Sequence, residues 1–199
     1  MKGWRIVLVA AFVQLAVFAC VVAVYGTDEE GIRTLVRATA RVSFLFFLPV
    51  YLASSARRLW PSPATRWMLA NRRYLGLSFF VAHVLHLDSI WMLSTLLGDA
   101  FAMDALTLYG GGLAYAFVFA MAATSSNRAV AWLGPRRWKA LHRAGIHWLW
   151  LIWAVSWVPY ALDSPLYGFF SALTLGAAGV RIAASRSRAA NAQPAAATA

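Results

Sequence analysis

Cysteine and charged residues are both scarce in this sequence. The single cysteine, Cys20, excludes an internal disulfide and any cysteine-ligated zinc or iron–sulfur site. Charged residues make up 13% of the 199 residues and hydrophobic residues 61%, whereas soluble domains carry about 25% charged residues. A soluble chain of this length cannot bury so much apolar surface, but a lipid bilayer can accommodate it. The composition therefore predicts an integral membrane protein.

Motifs of soluble catalytic domains are missing as well. There is no Walker loop, no Gly-x-Gly-x-x-Gly fingerprint and no Ser-His-Asp arrangement. We therefore expect no catalytic residue and no flavin or nicotinamide site in this chain, so that any reductant comes from another molecule. The net charge of +11 does not indicate nucleic-acid binding. Its basic residues stand in short clusters between apolar stretches, which is the pattern of a membrane topology signal.

Six apolar stretches predict an all-α bundle of about six transmembrane helices, forming one domain over residues 1–183. Glycine, proline and charged residues concentrate between the stretches, as expected for connecting loops. Residues 184–199 are rich in alanine and small polar residues, which predicts a disordered cytoplasmic tail. The stretches are 6–25, 36–54, 74–97, 107–124, 139–159 and 165–183.

The basic residues also predict the orientation. With the N-terminus inside, 15 of the 18 lysines and arginines fall in inner segments, so both ends are predicted to be cytoplasmic. The exceptions, Arg33, Arg37 and Arg41, recur every four residues and share one face at the outer end of the second span. Arg37 or Arg41 could bind the carboxylates of a cofactor. The alternative is pairing with the acidic residues at 28–30 or with lipid headgroups.

All four histidines lie in two of the predicted spans, His83 and His86 in the third and His142 and His147 in the fifth. Ionisable groups inside a bilayer are costly and usually functional. Neutral imidazoles on facing helices are common ligands of heme iron in a bundle. At a rise of about 1.5 Å per residue, His83 and His86 lie at a depth in the membrane similar to that of His147, so either could share a heme with it. Because helix tilt can shift these depths, a pair of His86 with His142 also remains open. The alternative is that the histidines only form hydrogen bonds between helices.

Several short motifs carry a family resemblance over about residues 37–157. In chain order they are Arg72-Arg73-Tyr74-Leu75-Gly76-Leu77, Leu85-His86, Ala122-Ala123-Thr124-Ser125-Ser126, Leu133-Gly134-Pro135, Trp138 and Leu141-His142-Arg143. In order and spacing they resemble the ferric reductase-like transmembrane domain family. Within that family they resemble the heme-binding membrane subunits of bacterial protein-methionine-sulfoxide reductase systems.

The resemblance implies a multi-pass b-type cytochrome of the bacterial inner membrane, with one or two hemes b. It implies an electron-transfer subunit of an oxidoreductase system, which takes electrons from a cytoplasmic flavoprotein or a membrane quinol. The acceptor would be a protein or a metal ion at the outer face. His86 matches the third-helix ligand of the family and His142 its first fifth-helix ligand, so the iron is expected to bind His86 with His142 or His147. The second fifth-helix histidine of the family is replaced by Val155.

Two other functions remain open at this stage. One is a heme-free membrane module, either an assembly partner or a small transporter, which the replacement by Val155 favours. The other is a quinone-linked membrane enzyme that uses the histidines to move protons. A purified heme protein is red, whereas a heme-free module is colourless.

Overall fold

The computed structural model describes residues 2–196, and in that part of the chain all regular structure is helical. Short 3₁₀ turns follow α4 and α7, and a π-helical turn at Leu106–Gly110 leads into α5. The α-helices are α1 (Trp4–Tyr25), α2 (Glu29–Leu59), α3 (Pro63–Ala70), α4 (Arg72–Leu97), α5 (Gly111–Ala123), α6 (Asn127–Leu133), α7 (Pro135–Trp157) and α8 (Pro165–Ala196).

The chain is an all-α membrane protein, as predicted. Five helical segments of the described residues are long and apolar enough to cross a membrane. α7 has 23 residues, about 34 Å of helix, but its histidines, tryptophans and basic residues lower its mean hydropathy. The total of six spans therefore stays a prediction. The five segments are Trp4–Tyr25, Glu29–Leu59, Arg72–Ala100, Leu106–Ala123 and Pro165–Arg188.

Large apolar side chains cover the outside of the bundle. Phe12 is 73% exposed, Leu8 69% and Trp91 68%. In water, patches of this kind would drive association. In a bilayer they contact lipid tails, while the helices satisfy their own backbone hydrogen bonds.

Capping residues set where the key helices begin. The Asp28 carboxylate accepts a hydrogen bond from the Gly31 backbone N–H at 2.9 Å, which starts α2. Gly134 adopts φ = 75°, a conformation that side chains disfavour, and Pro135 follows as the first residue of α7. This sharp turn separates the short α6 from α7 and fixes where α7 enters the bundle.

α2 lies at the centre of the bundle. It packs most extensively against α4 and also contacts α1 and α8, while α7 packs between α5 and α8. The main core lies around Phe44 and Phe47 of α2, with Phe79 of α4 and Trp153 of α7. Helices α2, α4, α5, α7 and α8 therefore surround the space in which a site between helices can form.

Two helices extend far beyond the apolar stretches that predicted them. α2 spans Glu29–Leu59 where the prediction was 36–54, because its charged ends reach beyond the apolar stretch. α8 continues to Ala196 where a disordered tail over 184–199 was predicted. Alanine and arginine are strong helix formers, which favours this continuation. Residues 197–199 lie outside the described residues, and the division into one domain and a tail stays a prediction.

Candidate functional site

A cavity of about 710 Å³ lies between α2, α4, α5, α7 and α8, at the end of the bundle where α4 and α7 begin. Its volume is in the range of cofactor pockets. We call it the basic cavity, because its lining includes many cationic side chains and no aspartate or glutamate. The cationic lining residues are Arg58, Arg72, Arg73, Lys139, Arg143, Arg181 and Arg188.

The deeper walls of the basic cavity are apolar. Phe47, Phe79, Ile146 and Leu149 line them. Gly76 of α4 also lines the cavity, and a Cβ atom added there would meet nothing within 4 Å. The missing side chain leaves open space beside the helix. The cavity can therefore hold a large apolar group whose acidic substituents lie near the cationic residues.

His142 is the histidine that lines this cavity. Its Nε2 lies 3.1 Å from the Thr124 hydroxyl, which donates its own hydrogen to the Ala120 carbonyl at 2.6 Å. With the single Thr124 hydrogen directed to Ala120, His142 Nε2 is the donor and the lone pair is on Nδ1. The Trp138 ring packs against the imidazole, with centroids 4.2 Å apart. A histidine held through one nitrogen, with the other free, is arranged as metal-binding histidines are.

His147 has both nitrogens engaged and does not line the cavity. Its Nδ1–H donates to the Arg143 carbonyl at 2.7 Å, so Nε2 accepts from the Arg181 guanidinium at 3.2 Å. Arg181 also donates to the Tyr51 carbonyl at 2.7 Å and lies over the Tyr51 ring, 4.4 Å from its centroid. His147 therefore helps to hold a cavity-lining arginine in place.

The two α4 histidines lie beyond the cavity and contact α2. His83 Nδ1 lies 2.8 Å from the Ser43 hydroxyl, and His86 Nδ1 lies 3.1 Å from the Thr39 hydroxyl. Their rings are 5.4 Å apart. Phe79, which lines the cavity, is one turn before His83 on α4, with ring centroids 5.0 Å apart.

The structure brings His83 and His86 together but joins neither to an α7 histidine. On α7, His83 packs against Trp153, with ring centroids 5.7 Å apart. Trp153 is eleven residues beyond His142, which is about 16 Å along the helix axis. Among the described residues, no group of three or more His, Cys, Asp or Glu side chains could hold a metal ion. The pairing of His86 with His142 or His147 stays a prediction.

The arginines in the first half of α2 lie away from the basic cavity. Arg33 pairs with Glu29 at 2.8 Å and Arg37 with Glu30 at 2.7 Å. This is the alternative that the sequence left open for them. Arg41 lies over the Tyr167 ring of α8, 5.9 Å from its centroid. A cofactor-binding role for Arg41 stays a prediction.

Sequence reasoning assigned the arginines of the cavity to membrane topology alone. Arg58 donates to the Ala184 carbonyl at 3.0 Å and Arg72 to the Ser54 hydroxyl at 3.1 Å. These bonds fix guanidinium groups that line the cavity and leave further N–H donors free. The motif Arg72-Arg73-Tyr74-Leu75-Gly76-Leu77 was the one available signal, because it contains three of the lining residues.

Two curated relatives are similar to this chain. The protein-methionine-sulfoxide reductase heme-binding subunit MsrQ of Azospira oryzae is 33% identical over 124 residues, covering 55% of this chain and 51% of the relative. The subunit of the same name from Ralstonia nicotianae is 30% identical over 153 residues, covering 71% of this chain and 68% of the relative. The chain thus spans about half the length of the first relative and two thirds of the second. No protein-family model and no solved structure matches it.

Proposed function

The chain belongs to the MsrQ family of heme-binding subunits of protein-methionine-sulfoxide reductases, and on that premise we propose that it is a heme-binding electron-transfer subunit of a membrane oxidoreductase system. Both relatives are heme-binding subunits by name. The finer proposal is a b-type cytochrome of the bacterial inner membrane, whose basic cavity faces the cytoplasm. The abundance of basic residues at that end supports this orientation.

The basic cavity is the observation that carries the proposal. Its volume of about 710 Å³, apolar inner walls and cationic lining fit a heme, which is a large apolar ring with two carboxylates. His142 supplies an imidazole nitrogen with no hydrogen-bond donor role. Bound heme iron would supply one-electron chemistry.

The residues of the cavity have separate roles in this proposal. His142 binds the iron, and the Thr124 hydroxyl holds its ring in orientation. Guanidinium groups of the lining bind the carboxylates, because their planar N–H pairs match carboxylate oxygens. His147 and Tyr51 orient Arg181 for this purpose. The apolar walls exclude water from the deep part of the cavity.

The donor would be a cytoplasmic flavoprotein or a membrane quinol, and the acceptor a protein or a metal ion at the outer face. The absence of a nucleotide-binding motif in the chain supports an external donor. The chain would then act as a subunit that passes single electrons across the bilayer and would carry no substrate chemistry of its own.

Electron passage can be tested in vesicles that contain the purified protein and enclose ferricyanide. A quinol or chemically reduced flavin is supplied outside, where it reaches the basic cavity of molecules whose basic end faces out. We expect one ferricyanide to be reduced per electron supplied. The rate of this reduction should be higher than in vesicles without the protein. Heme that becomes reduced while the enclosed ferricyanide persists would contradict the proposed electron passage.

A heme-free module is the second candidate function. It is favoured by His147, whose two nitrogens are both engaged, and by His83, which faces Trp153 of α7 and no α7 histidine. Protein purified without a visible absorption spectrum, after expression with added heme precursor, would support this second function and exclude the first.

A further inference from the structure

The half of the bundle beyond the basic cavity is filled by aromatic side chains. Phe44 of α2 lies against Trp153 and Trp157 of α7 and against Phe170 of α8, with ring centroids 5.6, 4.5 and 5.8 Å apart. Each of these four side chains is at most 6% exposed. Opening a second cofactor pocket here would require the removal of several close-packed rings, which interiors tolerate poorly.

The three helices that carry this aromatic cluster, α2, α7 and α8, offer few ligand side chains to face an α4 histidine. Heme iron in proteins is held by histidine, cysteine, methionine or tyrosine. Segments 29–47 of α2, 148–157 of α7 and 165–177 of α8 contain no histidine, cysteine or methionine. The one tyrosine among them, Tyr167, lies near Arg41. An imidazole from α4 would therefore have no matching imidazole across the bundle at this depth.

His83 and His86 have a structural use that needs no metal. Each binds an α2 hydroxyl, Ser43 or Thr39, at 2.8 and 3.1 Å. Gln14 of α1 adds donors to the Thr39 and Ala82 carbonyls at 3.4 and 3.3 Å. Buried polar groups need such partners, and polar side chains commonly connect helices inside a bilayer. The α4 histidines thus connect α4 to α2 at the point where α1 joins them.

We infer that this chain holds a single heme, in the basic cavity through His142, and that His83 and His86 connect α4 to α2 and bind no iron. The inference rests on the proposed function, since it concerns where and how many times that cofactor binds. It predicts one heme per chain, located nearer to the basic end of the bundle.

The number of hemes is measured on the purified full-length protein, as pyridine hemochrome per mole of chain from amino-acid analysis. A ratio near one supports the inference. A ratio near two overturns the inference and leaves the proposed function standing. A ratio near zero after expression with heme precursor overturns the proposed function itself, so the two failures are distinguishable.

Matched substitutions then assign the ligand. His142→Asn is expected to lower the heme ratio at least tenfold, while His83→Asn and His86→Asn keep it near one. Asparagine retains a side-chain donor for the α2 hydroxyls. A variant counts as folded when its melting temperature is unchanged and it elutes as a single species in size-exclusion chromatography. Where an Asn variant misfolds, the Gln variant of the same histidine is used in its place. A folded His86 variant without heme, or a His142 variant with full heme, overturns the assignment. The ratio in the unsubstituted protein remains an independent test.

Discussion

At the scale of single residues, the four histidines share one side-chain chemistry and differ in their partners. His142 uses one nitrogen to donate to Thr124 and keeps the other free. His147 uses both nitrogens, one on a backbone carbonyl and one on Arg181. A histidine whose nitrogens are both engaged must break a bond before it can bind a metal. The hydrogen bonds therefore separate His142, a ligand candidate, from His147, which positions Arg181. His83 and His86 each bond an α2 hydroxyl through Nδ1, and they differ from His142 in lying beyond the basic cavity.

Arg181 offers the sharpest test of the cationic lining. Substitution Arg181→Gln removes a charged group that lines the cavity and is held by Tyr51 and His147. Charge-assisted hydrogen bonds contribute about 1.5–3 kcal/mol, so we expect the affinity for heme to fall by about tenfold or more. Transfer of heme to an excess of apomyoglobin, followed by absorbance, measures the change.

Arg186→Gln is the matched control, because Arg186 lies five residues further along α8, is exposed and does not line the cavity. It should release heme at the rate of the unsubstituted protein. Equal rates for both variants would mean that the cationic lining does not bind the carboxylates.

At the scale of elements, the contact between α5 and α7 shapes one wall of the basic cavity. A Cβ atom added to Gly145 of α7 would lie 2.8 Å from Met121 Sδ and 3.1 Å from the Phe117 ring. Met121 itself lines the cavity. The absence of a side chain at Gly145 therefore allows the two helices to pack closely and fixes where the methionine lies.

We expect Gly145→Leu to displace Met121 and to separate α5 from α7. Overpacking of this kind costs about 1–3 kcal/mol, so the melting temperature in detergent and the heme content should both fall. Gly112→Leu is the control on α5, because a Cβ there meets nothing within 4 Å. Unchanged heme content in a folded Gly145→Leu variant would show that this wall does not shape the site.

Some elements were predictable from sequence, and the site was predictable only in part. Long apolar stretches with charged borders predict membrane helices directly. The basic cavity requires tertiary packing, because Arg58 and Arg181 are far apart in sequence and line one space only when α2 and α8 pack together. Their charges also fit the pattern of a membrane topology signal, so nothing in the sequence assigned them to the lining of a cavity. His142 was identified from sequence, whereas the state of its two nitrogens depends on Thr124, which follows the end of α5.

At the scale of the whole molecule, the basic residues predict which end of the bundle faces the cytoplasm. Cys20→Ala removes the single cysteine, and new cysteines can then be introduced one at a time. Ala64 lies between α2 and α4 at the basic end, and Asp163 lies between α7 and α8 at the other; both are exposed. In intact cells, we expect a membrane-impermeant maleimide to label Asp163→Cys and to leave Ala64→Cys unlabelled.

Permeabilised cells provide the control for this labelling, since both cysteines should then react. Labelling of Ala64→Cys alone in intact cells would show that the orientation is the opposite of the predicted one. The basic cavity would in that case face away from a cytoplasmic electron donor.

Heme binding in the basic cavity is the central claim, and the absorption spectrum of the detergent-purified protein tests it most directly. The spectrum is recorded in the oxidised state and again after reduction with dithionite. The account predicts a red protein with sharp b-type bands on reduction. A flat visible spectrum from folded protein, expressed with added heme precursor, would contradict it.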